Sequence, residues 1–164
     1  MNAASFEWTD KFLLGYGPMD DVHHEFVTLV NTLRTCADED LPATLDAFAK
    51  HAESHFSEEL KWMKATDFPA MGCHADEHAA VLKSVHEVQA LVATGDTKQV
   101  RSLADALVDW FPGHADYLDS ALAHWLVKKR HGGAPVVLRR GVKSAAATDT
   151  IPAHRNSDPS SQSA

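Results

Sequence analysis

Apolar residues recur every three to four positions along four stretches of this chain, and each stretch ends at a turn signal. The first covers about 20–36, with Val22, Phe26, Leu29, Val30 and Leu33 on one face and Asp20 as the expected N-cap. Asp38-Glu39-Asp40-Leu41-Pro42 forms a turn whose proline can sit in the first turn of a second helix, where a missing N–H costs little. That helix extends to about Ala65 through Leu45, Phe48, Ala52, His55, Phe56, Glu59, Trp62 and Met63. Asp67-Phe68-Pro69 should break it, because proline restricts its predecessor and cannot continue a helical run. A third helix is predicted over about 71–93, with His74, His78, Val81, Leu82, Val85, Val88 and Leu91 on its buried side. Gly95 is its expected stop and Asp96 the next N-cap. The fourth runs through Val100, Leu103, Leu107, Trp110, His114, Leu118, Leu122 and Trp125, and ends at Gly132-Gly133. Four amphipathic helices with short connections predict an all-α chain folded as an antiparallel up-down four-helix bundle.

The rest divides around that bundle. Residues 1–19 are expected to be an irregular N-terminal arm. Gly15, Gly17 and Pro18 oppose a helix there, while Phe6, Trp8, Phe12 and Leu13 can pack on one. The bundle is assigned to 20–131. Residues 132–164 are rich in Ser, Ala, Pro and charge, lack a sustained period, and are expected to be a disordered tail. Val136-Val137-Leu138 is their only apolar cluster.

Charge sharpens this division. The net charge of −8 argues against a nucleic-acid binder. Residues 1–127 carry 21 Asp and Glu against 8 Lys and Arg, whereas 128–164 carry 2 against 7. A basic tail on an acidic body can dock a protein partner or simply remain solvated. Cys36 and Cys73 form no CxxC pair and read as free thiols. No stretch reaches the roughly 18 apolar residues of a membrane helix, and the N-terminus lacks a signal-peptide pattern. Cytoplasm is the expected compartment, with no membrane partner.

The chemistry sits on the inward faces. His55 and Glu59 are four apart, as are His74 and His78, so each pair shares a helix face one turn apart. His23 falls on the inner side of the first helix with Phe26 and Val30, while His24 and Glu25 rotate outward. The fourth helix adds His114 and Asp119. His51, one turn before His55, is expected behind the ligands rather than among them. His86, His124 and His131 lack a ligand at useful spacing, and His154 falls in the tail. Five imidazoles and two carboxylates exceed one tetrahedral zinc and suit two metals bridged by carboxylates. The mixture suits iron and leaves zinc and manganese open. His114 and Asp119 are five apart, which rotates them about 140° from each other on a regular α-helix. The helix is therefore expected to be irregular there, with the two side chains reaching round from opposite flanks to close part of the gap and a local π-bulge the rest. Pro112 and Gly113 add a second perturbation, unless a separate helix starts near Pro112.

These motifs together resemble the hemerythrin family, above all its single-domain bacterial members, over about residues 6–127. Its opening pattern appears as Trp8, Gly15 and Met19-Asp20-Asp21-Val22-His23. His55-Phe56-Ser57-Glu58-Glu59 with Met63 and Phe68-Pro69, then His74 and His78, then Trp110 to His114 and Asp119, complete it. The resemblance implies two non-haem iron ions. His74, His78 and His114 would hold one, and His23 and His55 the other, which keeps an open position. Glu59 and Asp119 would bridge them, with a solvent-derived hydroxide as third bridge. O2 would bind reversibly at the open iron as hydroperoxide, in a pocket formed by Phe26, Phe56, Trp110 and Ala115. Four positions depart from the family pattern: Val22 for Gln, Phe26 for Leu, His51 for Tyr and Ala115 for Ile. None removes a ligand.

An oxygen-binding protein for storage, delivery or buffering is the leading expectation, ahead of an oxygen or redox sensor and then of a di-iron peroxidase or oxygenase. Ferritin-like di-iron enzymes use more carboxylates and two Glu-x-x-His motifs, and this chain has no Glu-x-x-His.

Overall fold

The computed structural model describes residues 6–132. The expectations for a disordered tail, and for a partner docked by it, lie outside the described residues. Within them the chain is helical, and each of four helices packs against two neighbours in cyclic order. Helix α1 spans Gly17–Thr35, α2 Leu41–Ala65, α3 Met71–Ala93 and α4 Lys98–His114. A π-helical segment, Ala115–Asp119, carries the fourth helix into α5, Ser120–Arg130. Short 3-10 turns cover Asp10–Phe12 and Asp38–Asp40. No helix among the described residues is long and apolar enough to cross a membrane.

The core forms two apolar layers, and their order along each helix fixes the topology. One layer holds Phe26, Val30, Leu45, Phe48, Val85, Leu103 and Leu107. The other holds Met19, Met63, Phe68, Leu122 and Leu126. Helices α1 and α3 run from the second layer to the first, whereas α2 and the α4–α5 rod run the other way. An up-down antiparallel bundle is the arrangement that lets each helix bury one stripe in both layers.

Turn chemistry explains most of the boundaries. Gly95, with φ 90°, ends α3 in a Schellman arrangement: Asp96 N–H reaches Leu91 O at 3.1 Å and Gly95 N–H reaches Val92 O at 2.9 Å. Asp67 plays the same part after α2, with φ 53° and Phe68 N–H bonded to Met63 O at 3.0 Å. Asp tolerates the left-handed region better than most residues, which suits it to this place. The turn swings the Phe68 side chain back into the core.

Two expected caps are corrected. Helix α1 starts at Gly17, not Asp20, with Tyr16 as N-cap and Pro18 inside its first turn. Proline is favoured there because its N–H would be orphaned anyway. Asp20 instead turns its carboxylate back onto the arm, accepting from Leu14 N–H at 2.7 Å and Gly15 N–H at 3.0 Å. The N-cap of α4 is Thr97, and Asp96 accepts from Lys98 N–H at 3.1 Å from one place earlier.

The arm lies on the bundle. Phe6 and Phe12 meet the ring of Phe111 edge-on at 6.1 and 5.3 Å, and Trp8 packs on His24 at 5.3 Å. At the other end Arg101 of α4 closes the C-terminus of α1. It donates to Leu33 O, Arg34 O and Cys36 O at 3.2, 2.8 and 2.8 Å, and to Asp38 at 2.6 Å. The last carbonyls of a helix lack intrahelical donors, so one guanidinium satisfies three of them. Arg101→Ala is expected to lower stability by about 1–3 kcal/mol, read as a shifted urea midpoint with unchanged slope. A wild-type midpoint would show that water replaces the guanidinium without loss.

Candidate metal centre

Between the two apolar layers lie seven side chains with metal-binding atoms, between 0% and 6% exposed: His23, His55, Glu59, His74, His78, His114 and Asp119. Helix α1 supplies His23, one turn after Met19 and one before Phe26. Helices α2 and α3 supply the pairs His55/Glu59 and His74/His78. His114 ends α4, and Asp119 ends the π segment.

The irregularity expected in the fourth helix is present. Ser120 N–H bonds Ala115 O, five residues back, which is the π pattern. The wider turn spends one extra residue per revolution and brings His114 and Asp119, five apart, towards one face. Asp119 Oδ1 stands 3.3 Å from His114 Nε2. Helix α4 itself passes through Pro112 without a break, so no separate helix starts there.

The carboxylates organise the site. Glu59 Oε1 lies 2.8 Å from His55 Nε2 and 3.6 Å from His23 Nε2. Its Oε2 lies 3.1 Å from His74 Nε2 and 3.5 Å from His78 Nε2. Asp119 repeats the division, with Oδ2 3.2 Å from His23 and Oδ1 3.0 Å from His74. Each carboxylate thus turns one oxygen to the His23/His55 group and the other to the His74/His78/His114 group. Donor atoms of Glu59, His74, His78, His114 and Asp119 lie within 4.8 Å of one another, as do those of His23, His55 and Glu59.

These residues fit cations better than they fit one another. His78 Nε2 and His114 Nε2 face each other at 2.9 Å, although both are lone-pair positions unless one carries a proton. His23 Nε2, His74 Nε2, Glu59 Oε2 and Asp119 Oδ1 are buried without an aligned hydrogen bond despite their short separations. Each such atom costs about 1–3 kcal/mol when left unsatisfied, so four together form a binding site rather than a stabilising network.

Electrostatics point the same way. Burial opposes charge on His23 and His74, yet Asp119 and Glu59 outweigh it and lift both to about 9. Burial and the nearby Asp119 charge oppose ionisation of Glu59, but His23, His55 and His74 hold its pKa below the usual carboxylate range. Asp119 is likewise held low against its burial, by His114, His23 and His74. Burial drives His78 down to about 3, leaving a neutral imidazole. Two buried carboxylates thus draw positive charge onto His23 and His74, the place a bound cation would take, while His78 offers a neutral lone pair.

A second layer holds the rings. Phe56 stacks on His78 at 3.8 Å and 9°, and Trp110 on His114 at 4.2 Å and 28°. Phe26 stacks on Phe111 at 4.9 Å and lies 6.2 Å from the His55 ring. Ala115 is buried in the same apolar layer as Phe26 and Phe56. His51 stays behind the ligands, its Nδ1 3.4 Å from Glu25, and burial followed by the charges of His55 and His23 lowers it to about 4. His24, His124 and His131 are exposed, and His86 pairs with Glu53 at the surface at 2.8 Å. Helical periodicity announces neither of two further neighbours of the site. Phe111 meets the His23 ring edge-on at 5.3 Å, and Glu77 accepts from His114 Nδ1 at 2.9 Å.

Comparison with known proteins agrees with this geometry. The family model described as the hemerythrin HHE cation binding domain matches residues 14–126. A bacteriohemerythrin from Ralstonia nicotianae is 38% identical over 123 residues, which are 75% of this chain and 90% of that protein. A crystal structure of a hemerythrin variant with a leucine replaced by tyrosine, and one of a mutant with a leucine replaced by phenylalanine, share the fold. Both superpose with a TM-score of 0.70 at 22% and 23% identity, covering 76% of this chain and 98% of theirs. By the match to most of its length and by its identity to a curated relative, the chain belongs to the hemerythrin family.

Proposed function

We propose that this protein binds O2 reversibly at a non-haem di-iron centre, as a carrier, store or buffer rather than an enzyme. One observation carries the reading: each of two buried carboxylates divides its oxygens between a three-imidazole group and a two-imidazole group. In this assignment His74, His78 and His114 would hold one iron and His23 and His55 the other, with Glu59 and Asp119 able to offer an oxygen to each. Mixed imidazole and carboxylate donors suit iron. The group with two imidazoles has the lower donor count and is the side at which a small molecule can enter. When bound, the iron pair supplies an open coordination position and two electrons that O2 can take up and return.

The chain's own residues set the conditions for reversibility. Phe26, Phe56, Trp110 and Ala115 form the apolar surround of the proposed O2 pocket, and Phe111 joins them through its contact with His23. The aromatic rings limit the water and anions that would compete for the open position, and the small Ala115 leaves a channel in that wall. The ratio of five imidazoles to two carboxylates also disfavours the electron-rich setting that ferritin-like oxygenases build from additional Glu ligands.

Three measurements test the reading. Protein grown with ample iron should hold two irons per chain by elemental analysis, and Glu59→Ala should lose one or both; zinc alone would remove the iron assignment. Anaerobically reduced protein should develop a visible charge-transfer band in air that disappears on purging with argon. A transient band accompanied by product release would indicate turnover instead. Ala115→Ile adds volume beside the centre and should slow autoxidation while keeping both irons, with an overpacking penalty of about 1–3 kcal/mol. An unchanged or faster rate would show that Ala115 does not limit access.

A further inference from the structure

The two imidazole groups differ in more than number. His114 Nδ1 donates to a carboxylate, Oε2 of Glu77, at 2.9 Å. The outer nitrogens of His23, His55 and His74 are buried without a hydrogen-bond partner. A carboxylate on Nδ1 keeps the proton there and presents Nε2 as a lone pair. That nitrogen faces the cluster, 2.9 Å from His78 Nε2 and 3.3 Å from Asp119 Oδ1. Trp110 presses on the same ring at 4.2 Å. The imidazole is therefore held by its edge and by its face.

The contact also spans the boundary of the protein. The His114 side chain is 2% exposed, whereas that of Glu77 is 49% exposed. Glu77 and Trp110 line one end of an open groove of about 380 Å³ between α3 and α4, with Ala80, Val81 and Leu107 along it. A surface ion pair is ordinarily worth little because both partners are solvated. Here the acceptor is at the surface and the donor is buried, so the bond acts on the orientation of an interior group.

Resting on the di-iron reading, we infer that Glu77 is a positioning residue for one half of the pair. Its carboxylate fixes the tautomer and direction of His114 and passes negative charge through that imidazole to the metal held by His74, His78 and His114. The effect is one-sided, since the buried Nδ1 atoms of His23 and His55 have no such acceptor. It makes the three-imidazole side the more electron-rich and the more tightly held of the two.

Glu77→Gln and Glu77→Ala in the iron-loaded protein test this, with Glu53→Gln as control. Glu53 forms a Glu–His contact of 2.8 Å with His86, but both side chains are 52% exposed and the contact lies outside the candidate centre. Iron release to excess chelator and the midpoint potential of the iron pair are the readouts. Glu77→Ala should weaken iron binding about 10- to 100-fold, the usual loss for an outer-sphere partner, read as faster release to chelator. Glu77→Gln keeps an acceptor but removes the charge, so it should hold two irons at a raised potential. Glu53→Gln should match wild type in both. Wild-type release and potential in both Glu77 variants would overturn the inference, as would faster release from Glu77→Ala with no change of potential in Glu77→Gln. Wild-type protein without two irons would overturn the di-iron reading itself, which is a different result.

Discussion

Two carboxylates are buried at the centre of this bundle, and the rest of the structure answers to them. Glu59 and Asp119 are at most 1% exposed. An isolated carboxylate in such a place is expensive enough that it would be neutralised or expelled. Here imidazoles from each of the four helical rods surround the pair and hold it ionised. That requirement fixes the helices axially. Each must bring its ligand to the same height, so each carries an apolar stripe above the site and another below it. The layers in turn keep out the water that would screen the carboxylates and weaken their pull on any cation.

The π segment is the local cost of this arrangement. Helix interiors favour the α pattern, and Pro112 one turn upstream adds a penalty of about 3 kcal/mol in a helix interior. The chain nevertheless stays helical through Pro112 and widens only at Ala115–Asp119. What the widening achieves is the placement of Asp119. A regular helix would turn Asp119 away from His114 and strip the centre of one of its two carboxylates. Single π turns of this kind collect at functional sites, where packing on either side holds them in place. Phe111 and Leu122, buried on either side of the segment, supply that packing.

Around the donors the aromatic residues have separate tasks. Phe56 and Trp110 lie flat on His78 and His114 and fix the imidazole planes of the three-histidine group. Phe26 and Phe111 stack beside His55 and His23 and fill the space near the two-histidine group. The N-terminal arm completes that side, because Phe6 and Phe12 cover Phe111 from outside. The centre is asymmetric in its walls as well as in its donors. Such asymmetry suits one metal that is held and one that exchanges a ligand.

The helix spans apart from the start of α1, the break at Asp67-Phe68-Pro69, the pairs His55/Glu59 and His74/His78, and the irregularity between His114 and Asp119 were legible in the residue order. They depend on spacing within one helix, and 3.6 residues per turn converts spacing directly into direction. The assignment of seven inward donors needed the full motif set, since each pair alone is common. Other features were decided only when the helices packed. Asp20 lies early enough to be read as an N-cap, yet it folds back on Leu14 and Gly15 because the arm is there to receive it. Trp110 keeps the apolar period of the fourth helix, yet packing puts Phe111 in the core and leaves Trp110 only partly buried on the flank. Glu77 meets His114 across 37 positions of sequence, and no period within α3 announces it. The division of each carboxylate between two imidazole groups is likewise a property of four helices at one height. Local sequence sets which face a side chain is on, and only the register between helices sets what it meets there.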